Sequence, residues 1–155
     1  MARQIDLDKA YLDMALRWSE LSTAKRKKVG CLIVKNGAII SDGFNGTPKG
    51  FDNNCEYNPK PDVSHKIITK PEVLHAESNA ITKLAKSSQS SDGATMYITI
   101  SPCLECAKLI IQAGISRVVY GEEYRDSQGA DLLRKARIKV SSIKELKSRP
   151  VFLDK

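Results

Sequence analysis

Long apolar runs are missing from this 155-residue chain. No stretch approaches the roughly 20 apolar residues of a membrane span. Aromatic residues make up only 6%, too few for the stacking platform that holds single-stranded nucleic acid. There are two histidines and one closely spaced cysteine pair. Without a second C-x-x-C or a histidine pair, a basic zinc-containing nucleic-acid-binding module is disfavoured. No internal repeat and no Pro/Gly/Ser-rich linker divides the sequence. The N-terminal stretch MARQIDLDKAYLDMAL carries Asp6, Asp8 and Asp13 and lacks an uninterrupted apolar core, so no secretory signal is expected and the expected location is cytoplasmic.

What is present is a globular composition, 41% hydrophobic and 28% charged. It suits one domain spanning residues 1–155, large enough to bury a core without disulfides. The formal charge is +7, and four of the positive charges form one run, Lys25-Arg26-Lys27-Lys28. Such a run is either a solvated loop or a local site for phosphate. Of the four cysteines, Cys31, Cys55, Cys103 and Cys106, the close pair 103/106 points to metal binding or catalysis rather than to a disulfide in a reducing compartment.

The periodicities alternate. Leu7, Tyr11, Met14, Ala15 and Trp18 fall at helical spacing after a possible cap at Asp6 and predict a core-facing stripe. Residues 29–34 and 38–41 read as strands joined by the hairpin signal Asn36-Gly37. From 43 to 74, glycines and prolines break both periods, predicting a long irregular loop of functional character. Then follow a helix over 75–87, a strand over 95–100, an apolar and therefore buried helix over 103–114, a strand over 117–120, a helix over 128–136 and a strand over 138–141. The polar tail from Lys144 onward gives no clear element. Alternation of this kind predicts parallel pairing of the later strands. The expected fold is a three-layer α/β/α sandwich around a mixed, mostly five-stranded sheet.

Two short segments carry chemistry: His75-Ala76-Glu77 and Pro102-Cys103-Leu104-Glu105-Cys106. Each is weak alone. In this order they match the H-x-E…P-C-x-x-C pattern of zinc nucleobase deaminases. Ser101 is a plausible cap and Pro102 suits a first helical turn. The helix N-terminus then lowers thiol pKa values and favours thiolate ligands. His75, Cys103 and Cys106 supply three ligands, and a catalytic zinc leaves its fourth position to water. Glu77 is left as the proton carrier. The alternatives are a core histidine, a cysteine dithiol, or a closed site with Cys55 or His65 as fourth ligand.

Beyond these motifs, the chain resembles the deoxycytidylate (dCMP) deaminases of the cytidine-deaminase-like superfamily. The resemblance runs from about Lys28 to Val140. It is carried by Lys28-Val29-Gly30, GFNGTPKG (43–50) with Cys55 soon after, HAESNAI (75–81), MYITISPCLECAKLIIQAGI (96–115) and Tyr124-Arg125-Asp126. It implies hydrolysis of dCMP to dUMP and ammonia with one Zn2+ per chain. Glu77 would move protons from the attacking water to N3 and to the departing amine. It further implies that Asn45 contacts the deoxyribose, the Ala76 N–H the pyrimidine carbonyl, the Ser101 carbonyl the leaving amino group, and Tyr124 with Arg125 the phosphate. Many members are activated by dCTP and inhibited by dTTP, with Mg2+ on the triphosphate, in a homohexamer. The matching regulatory positions are Arg26, Lys28, Gly43, Phe44, Asn45, Gly46, Lys83 and Lys86. A second, structural zinc found in some phage members is not expected. Expected partners are small nucleotides and other copies of the chain, with no membrane and no nucleic acid.

Overall fold

The computed structural model describes residues 1–148; residues 149–155 of the polar tail lie outside the described residues. The first helix, α1 (Gln4–Ser19), has Arg3 rather than Asp6 at its N-cap, and Asp6 pairs back to Arg3 at 2.8 Å. β1 (Gly30–Lys35) and β2 (Ala38–Phe44) form the expected hairpin. Its turn residues have φ of 51° at Asn36 and 75° at Gly37, the left-handed pair that a tight hairpin needs to match strand twist. The chain continues through β3 (Glu56–Tyr57), β4 (Ile68–Thr69), α2 (Ala76–Leu84), β5 (Thr95–Ile100), α3 (Leu104–Gln112), β6 (Arg117–Glu122), α4 (Gln128–Lys135), β7 (Lys139–Ser142) and α5 (Ile143–Ser148).

The main sheet has the order β2-β1-β5-β6-β7. β1 is antiparallel to both neighbours, while β5–β6 and β6–β7 are parallel. This is the expected mixed five-stranded sheet. Its alternating residues separate two cores. Cys31, Ile33, Met96, Ile98, Val118 and Tyr120 face α2, α3 and α4. Leu32, Val34, Tyr97 and Val119 face α1 and α5. Three layers result.

Three expectations are corrected. α1 buries Asp8, Leu12, Ala15 and Ser19, while Leu7, Met14 and Trp18 stay exposed. The cause is polar. Asp8 is 1% exposed and accepts from Tyr97 at 2.7 Å, from Gln4 at 2.9 Å and from Arg117 at 2.8 and 2.6 Å. That network turns Leu7, Met14 and Trp18 out of the core, while Tyr11 and Ala15 of the expected stripe still pack into it. α3 is buried on one side only, through Cys106, Ala107 and Ile110, and leaves Leu104 and Leu109 exposed. The segment 43–74 is not irregular throughout. β2 extends to Phe44, β3 and β4 pair antiparallel, and Gly46 bridges Leu74. Strands of two residues are too short to show a period in sequence.

Candidate active site

β5 and β6 run parallel, so their C-terminal ends open on one edge of the sheet. β5 leads through Ser101-Pro102 into α3. The cap of α3 is Cys103, in extended conformation with φ −72° and ψ 171°, not Ser101 as the sequence suggested. The Ser101 hydroxyl accepts instead from the Tyr124 N–H at 2.7 Å and ties the end of β6 to this turn. α2 begins at the same edge with His75 as its cap, also extended, φ −74° and ψ 160°. Because His75 sits off the helical cylinder, it and Glu77 can reach one site. Gly129 of α4 presses on the metal-binding turn. A Cβ there would lie 2.7 Å from the Cys103 carbonyl carbon and oxygen and closer still to the Pro102 carbonyl.

His75 Nδ1 lies 3.5 Å from Cys103 Sγ and 3.4 Å from Cys106 Sγ, and the three ligand atoms fall within 4.8 Å of one another. A tetrahedral zinc with sulfur at about 2.3 Å and nitrogen at about 2.0 Å requires N–S separations of about 3.5 Å. The donor set therefore fits zinc in both chemistry and spacing. Among the described residues this is the one such group of three or more. The Cys106 thiol, donating to Cys103, draws the Cys103 pKa down to about 3, with His75 assisting. Cys106 is pushed up because it holds that proton. His75 is raised by its hydrogen bond with Cys103.

Glu77 is 4% exposed. Burial raises its pKa to about 7, which suits a group that takes and gives protons near neutrality. Beneath it, Cys31 is fully enclosed in the core, where burial and the charge of Glu77 keep its thiol protonated. Cys55 is buried with its sulfur 3.6 Å from the Thr23 hydroxyl, and His65 is exposed.

A cavity of about 520 Å³ opens over His75 and Cys103, with Cys106 buried behind its wall. His75, Ala76, Glu77, Ser101, Cys103, Asn45, Tyr124 and Arg125 all contribute to its wall. So do Arg26 and Lys27 of the basic run. The Asn45 side chain accepts from the Val29 N–H at 2.9 Å and donates to the Lys27 carbonyl at 2.8 Å. The Arg125 guanidinium lies 5.5 Å from the Tyr124 ring centre. A second cavity, about 470 Å³, is lined by Gly43, Phe44, Gly46, Asn79, Lys83 and Lys86 among others. Arg26 and Lys28 do not line it, so the structure divides the residues grouped above as regulatory. Lys83 there pairs with Asp42 at 2.5 Å. Sequence reasoning missed Glu56, Glu122 and Glu123, which also line the first cavity; no motif marks them.

Fold and site together define the zinc-dependent nucleobase deaminase class. The chain belongs to the family described as the cytidine and deoxycytidylate deaminase zinc-binding region, whose pattern matches residues 5–122. It is 38% identical to the deoxycytidylate deaminase of Enterobacteria phage T4, over 85% of this chain and 87% of the phage protein. It is 37% identical to the deoxycytidylate deaminase of Homo sapiens, over 80% of this chain and 70% of the human protein. Among solved structures, the dCMP deaminase of cyanophage S-TIM5, in complex with dCMP and dUMP, superposes with a TM-score of 0.81. It shares 44% identity and covers 92% of this chain and 99% of that one. No helix among the described residues is long and apolar enough to cross a membrane.

Proposed function

We propose that the chain hydrolyses dCMP to dUMP and ammonia. The observation that carries this reading is one cavity that joins the His75/Cys103/Cys106 group and buried Glu77 to three cations, Arg26, Lys27 and Arg125. Zinc, when bound, is a Lewis acid that lowers the pKa of water toward about 7. Glu77 takes the proton of the water that attacks C4 and delivers it to N3; it then takes the proton of the new C4 hydroxyl and passes it to the amine, which leaves as ammonia while the C4 carbonyl forms. A pKa near 7 lets one carboxylate both accept and release protons near neutrality. The Ala76 N–H, at the start of α2, orients the pyrimidine carbonyl, and the Ser101 carbonyl faces the leaving amine. Asn45 keeps one amide hydrogen free of its two backbone contacts, and that hydrogen serves the deoxyribose. Arg26, Lys27 and Arg125 hold the 5′-phosphate, with Tyr124 closing over it. This reassigns Arg26 from the regulatory to the catalytic site.

The second cavity, with its glycine backbone and Lys83 and Lys86, takes a magnesium-bound nucleoside triphosphate, dCTP as activator and dTTP as inhibitor. The exposed apolar side chains Leu7, Met14 and Trp18 of α1 and Leu104 and Leu109 of α3 support self-association, here to a homohexamer. The protein acts in the cytoplasm, as one domain.

Ammonia release is measured from dCMP, CMP, deoxycytidine, guanine and dCTP. Turnover of dCMP well above the others is expected, and Arg26→Ala raises KM for dCMP. Turnover of deoxycytidine as good as that of dCMP overturns the nucleotide reading. Saturation curves for dCMP with and without dCTP or dTTP test regulation; hyperbolic curves unmoved by either remove it while leaving catalysis intact.

A further inference from the structure

Two of the three cations of the catalytic cavity, Arg26 and Lys27, stand on a segment with no regular structure, between α1 and β1. Something must fix them. The structure shows three clamps, all from residues of the segment 43–74. The Asn45 side chain brackets the backbone at Lys27 and Val29. One oxygen of Glu56, Oε1, accepts from two consecutive backbone amides, Lys25 at 2.8 Å and Arg26 at 3.1 Å. The Arg26 guanidinium donates to the Thr69 hydroxyl at 3.2 Å. Glu56 and Thr69 are direct cross-strand partners in the β3–β4 pair. One two-stranded ribbon therefore grips Arg26 twice, at its backbone and at its side chain.

A carboxylate in the wall of a cavity that receives a phosphate is an electrostatic liability. Its placement makes sense only if its hydrogen bonds outweigh the repulsion. We infer that Glu56 is a positioning residue for substrate binding: it fixes the Lys25–Arg26 backbone so that the Arg26 side chain faces the substrate's phosphate. Thr69 completes the grip. The inference rests on the reading above that Arg26 holds the dCMP phosphate.

The two roles of the carboxylate predict opposite signs. As a charge, Glu56 repels phosphate, so its removal would tighten dCMP. As an acceptor, it holds the amides, so its removal loosens dCMP. Losing a carboxylate oxygen that accepts from two amides, both bonds charge-assisted, corresponds to a change on the order of tenfold. The test compares the wild-type holoenzyme with Glu56→Ala, Glu56→Gln and Thr69→Val, measuring kcat, KM for dCMP and zinc content. Glu56→Ala is expected to raise KM by about tenfold with kcat and zinc unchanged. Glu56→Gln keeps an acceptor oxygen and drops the charge, so KM returns to the wild-type value or below it. Thr69→Val, which leaves the backbone clamp intact and provides a reading if Glu56→Ala fails to fold, raises KM by about threefold.

An unchanged or lower KM in Glu56→Ala overturns the inference, as does a Gln variant no better than Ala. If Glu56→Ala does not fold, an unchanged KM in Thr69→Val overturns it. Arg26→Ala separates this failure from that of the underlying reading. If Arg26→Ala leaves KM unmoved, the phosphate assignment falls and the inference with it. If Arg26→Ala raises KM while the Glu56 and Thr69 variants do not, only the inference falls.

Discussion

Substituting Gly129 by alanine tests how tightly the metal-ligating turn is held. Gly129, in the first turn of α4, is buried against the Pro102–Cys103 backbone. An added Cβ would sit 2.7 Å from the Cys103 carbonyl carbon and oxygen, where ordinary contact lies at about 3.4 Å or more. Relieving those two contacts takes about 0.7 Å, and the Pro102 carbonyl oxygen, closer still to the added Cβ, requires more. Zinc–ligand distances tolerate only about 0.2 Å, so a shift taken up by the Cys103 turn moves its sulfur out of coordination. The competing response is for α4 to retreat, but its Ala130 and Leu133 are buried, and repacking them costs about 1–3 kcal/mol. The expected result for Gly129→Ala is a zinc affinity lowered about 10- to 100-fold, in the range seen when the surroundings of a ligand are disturbed. The assay is chelator competition on the purified holoenzyme. The thiolate-to-cobalt absorption of the cobalt-substituted protein reports the ligand geometry independently of activity. A variant with wild-type zinc affinity and an unchanged cobalt spectrum refutes the reasoning and shows that α4 yields first.

Three further outcomes are expected. Glu77→Gln retains zinc and loses turnover, since it keeps the shape of the site and removes the proton carrier; metal analysis beside the ammonia assay checks this. Asp8→Asn leaves the Arg117 guanidinium, 22% exposed, without its anion, a loss of about 3 kcal/mol and roughly 10 °C in melting temperature. For Asp8, burial raises the pKa, but donors from Arg117, Tyr97 and Gln4 outweigh it, so the folded value is depressed. Its stabilisation is thus fully present above the unfolded value of about 3.9 and lost as pH falls through the folded one. The gap between wild type and Asp8→Asn must therefore shrink in acid unfolding curves below about pH 4; a constant gap refutes the assignment. Finally, Lys27 and Glu122 pair at 3.0 Å with both side chains more than half exposed. Glu122→Gln should leave the melting temperature unmoved and lower KM for dCMP by about twofold to threefold by freeing Lys27; a raised KM contradicts the phosphate role of Lys27.

The sequence made most elements of the fold legible for physical reasons. β5 stands where the β-branched and aromatic run placed it, and the Asn36-Gly37 turn follows from the φ values only such residues adopt cheaply. The face of α1 was misread because hydrophobic period weighs Leu7, Met14 and Trp18 above Asp8. What decides burial there is a long-range partner, Arg117, 109 positions away, which no local pattern contains. Within the site, His75, Glu77, Cys103 and Cys106 were readable because their chemistry fixes residue type and spacing. Arg26 and Lys27 were visible as a charge run, yet only the tertiary arrangement assigns them to the cavity over the metal ligands. Glu56 was not legible at all. Its role lies in two backbone amides, and hydrogen bonding to the main chain leaves no trace in the identity of the residues served.

The metal ligands stand on two helix caps, and 28 positions of chain separate His75 from Cys103. Between them runs an exposed, serine-rich connection, Ser87–Ser90. A zinc ion that joins those caps closes a loop of that length and removes from the unfolded ensemble the conformations in which they lie apart. For a cross-link of this span the chain-entropy gain is about 3–4 kcal/mol. The ion that serves the chemistry is thereby also a tether, and withdrawing it loosens the turn that follows β5 as well as stopping turnover.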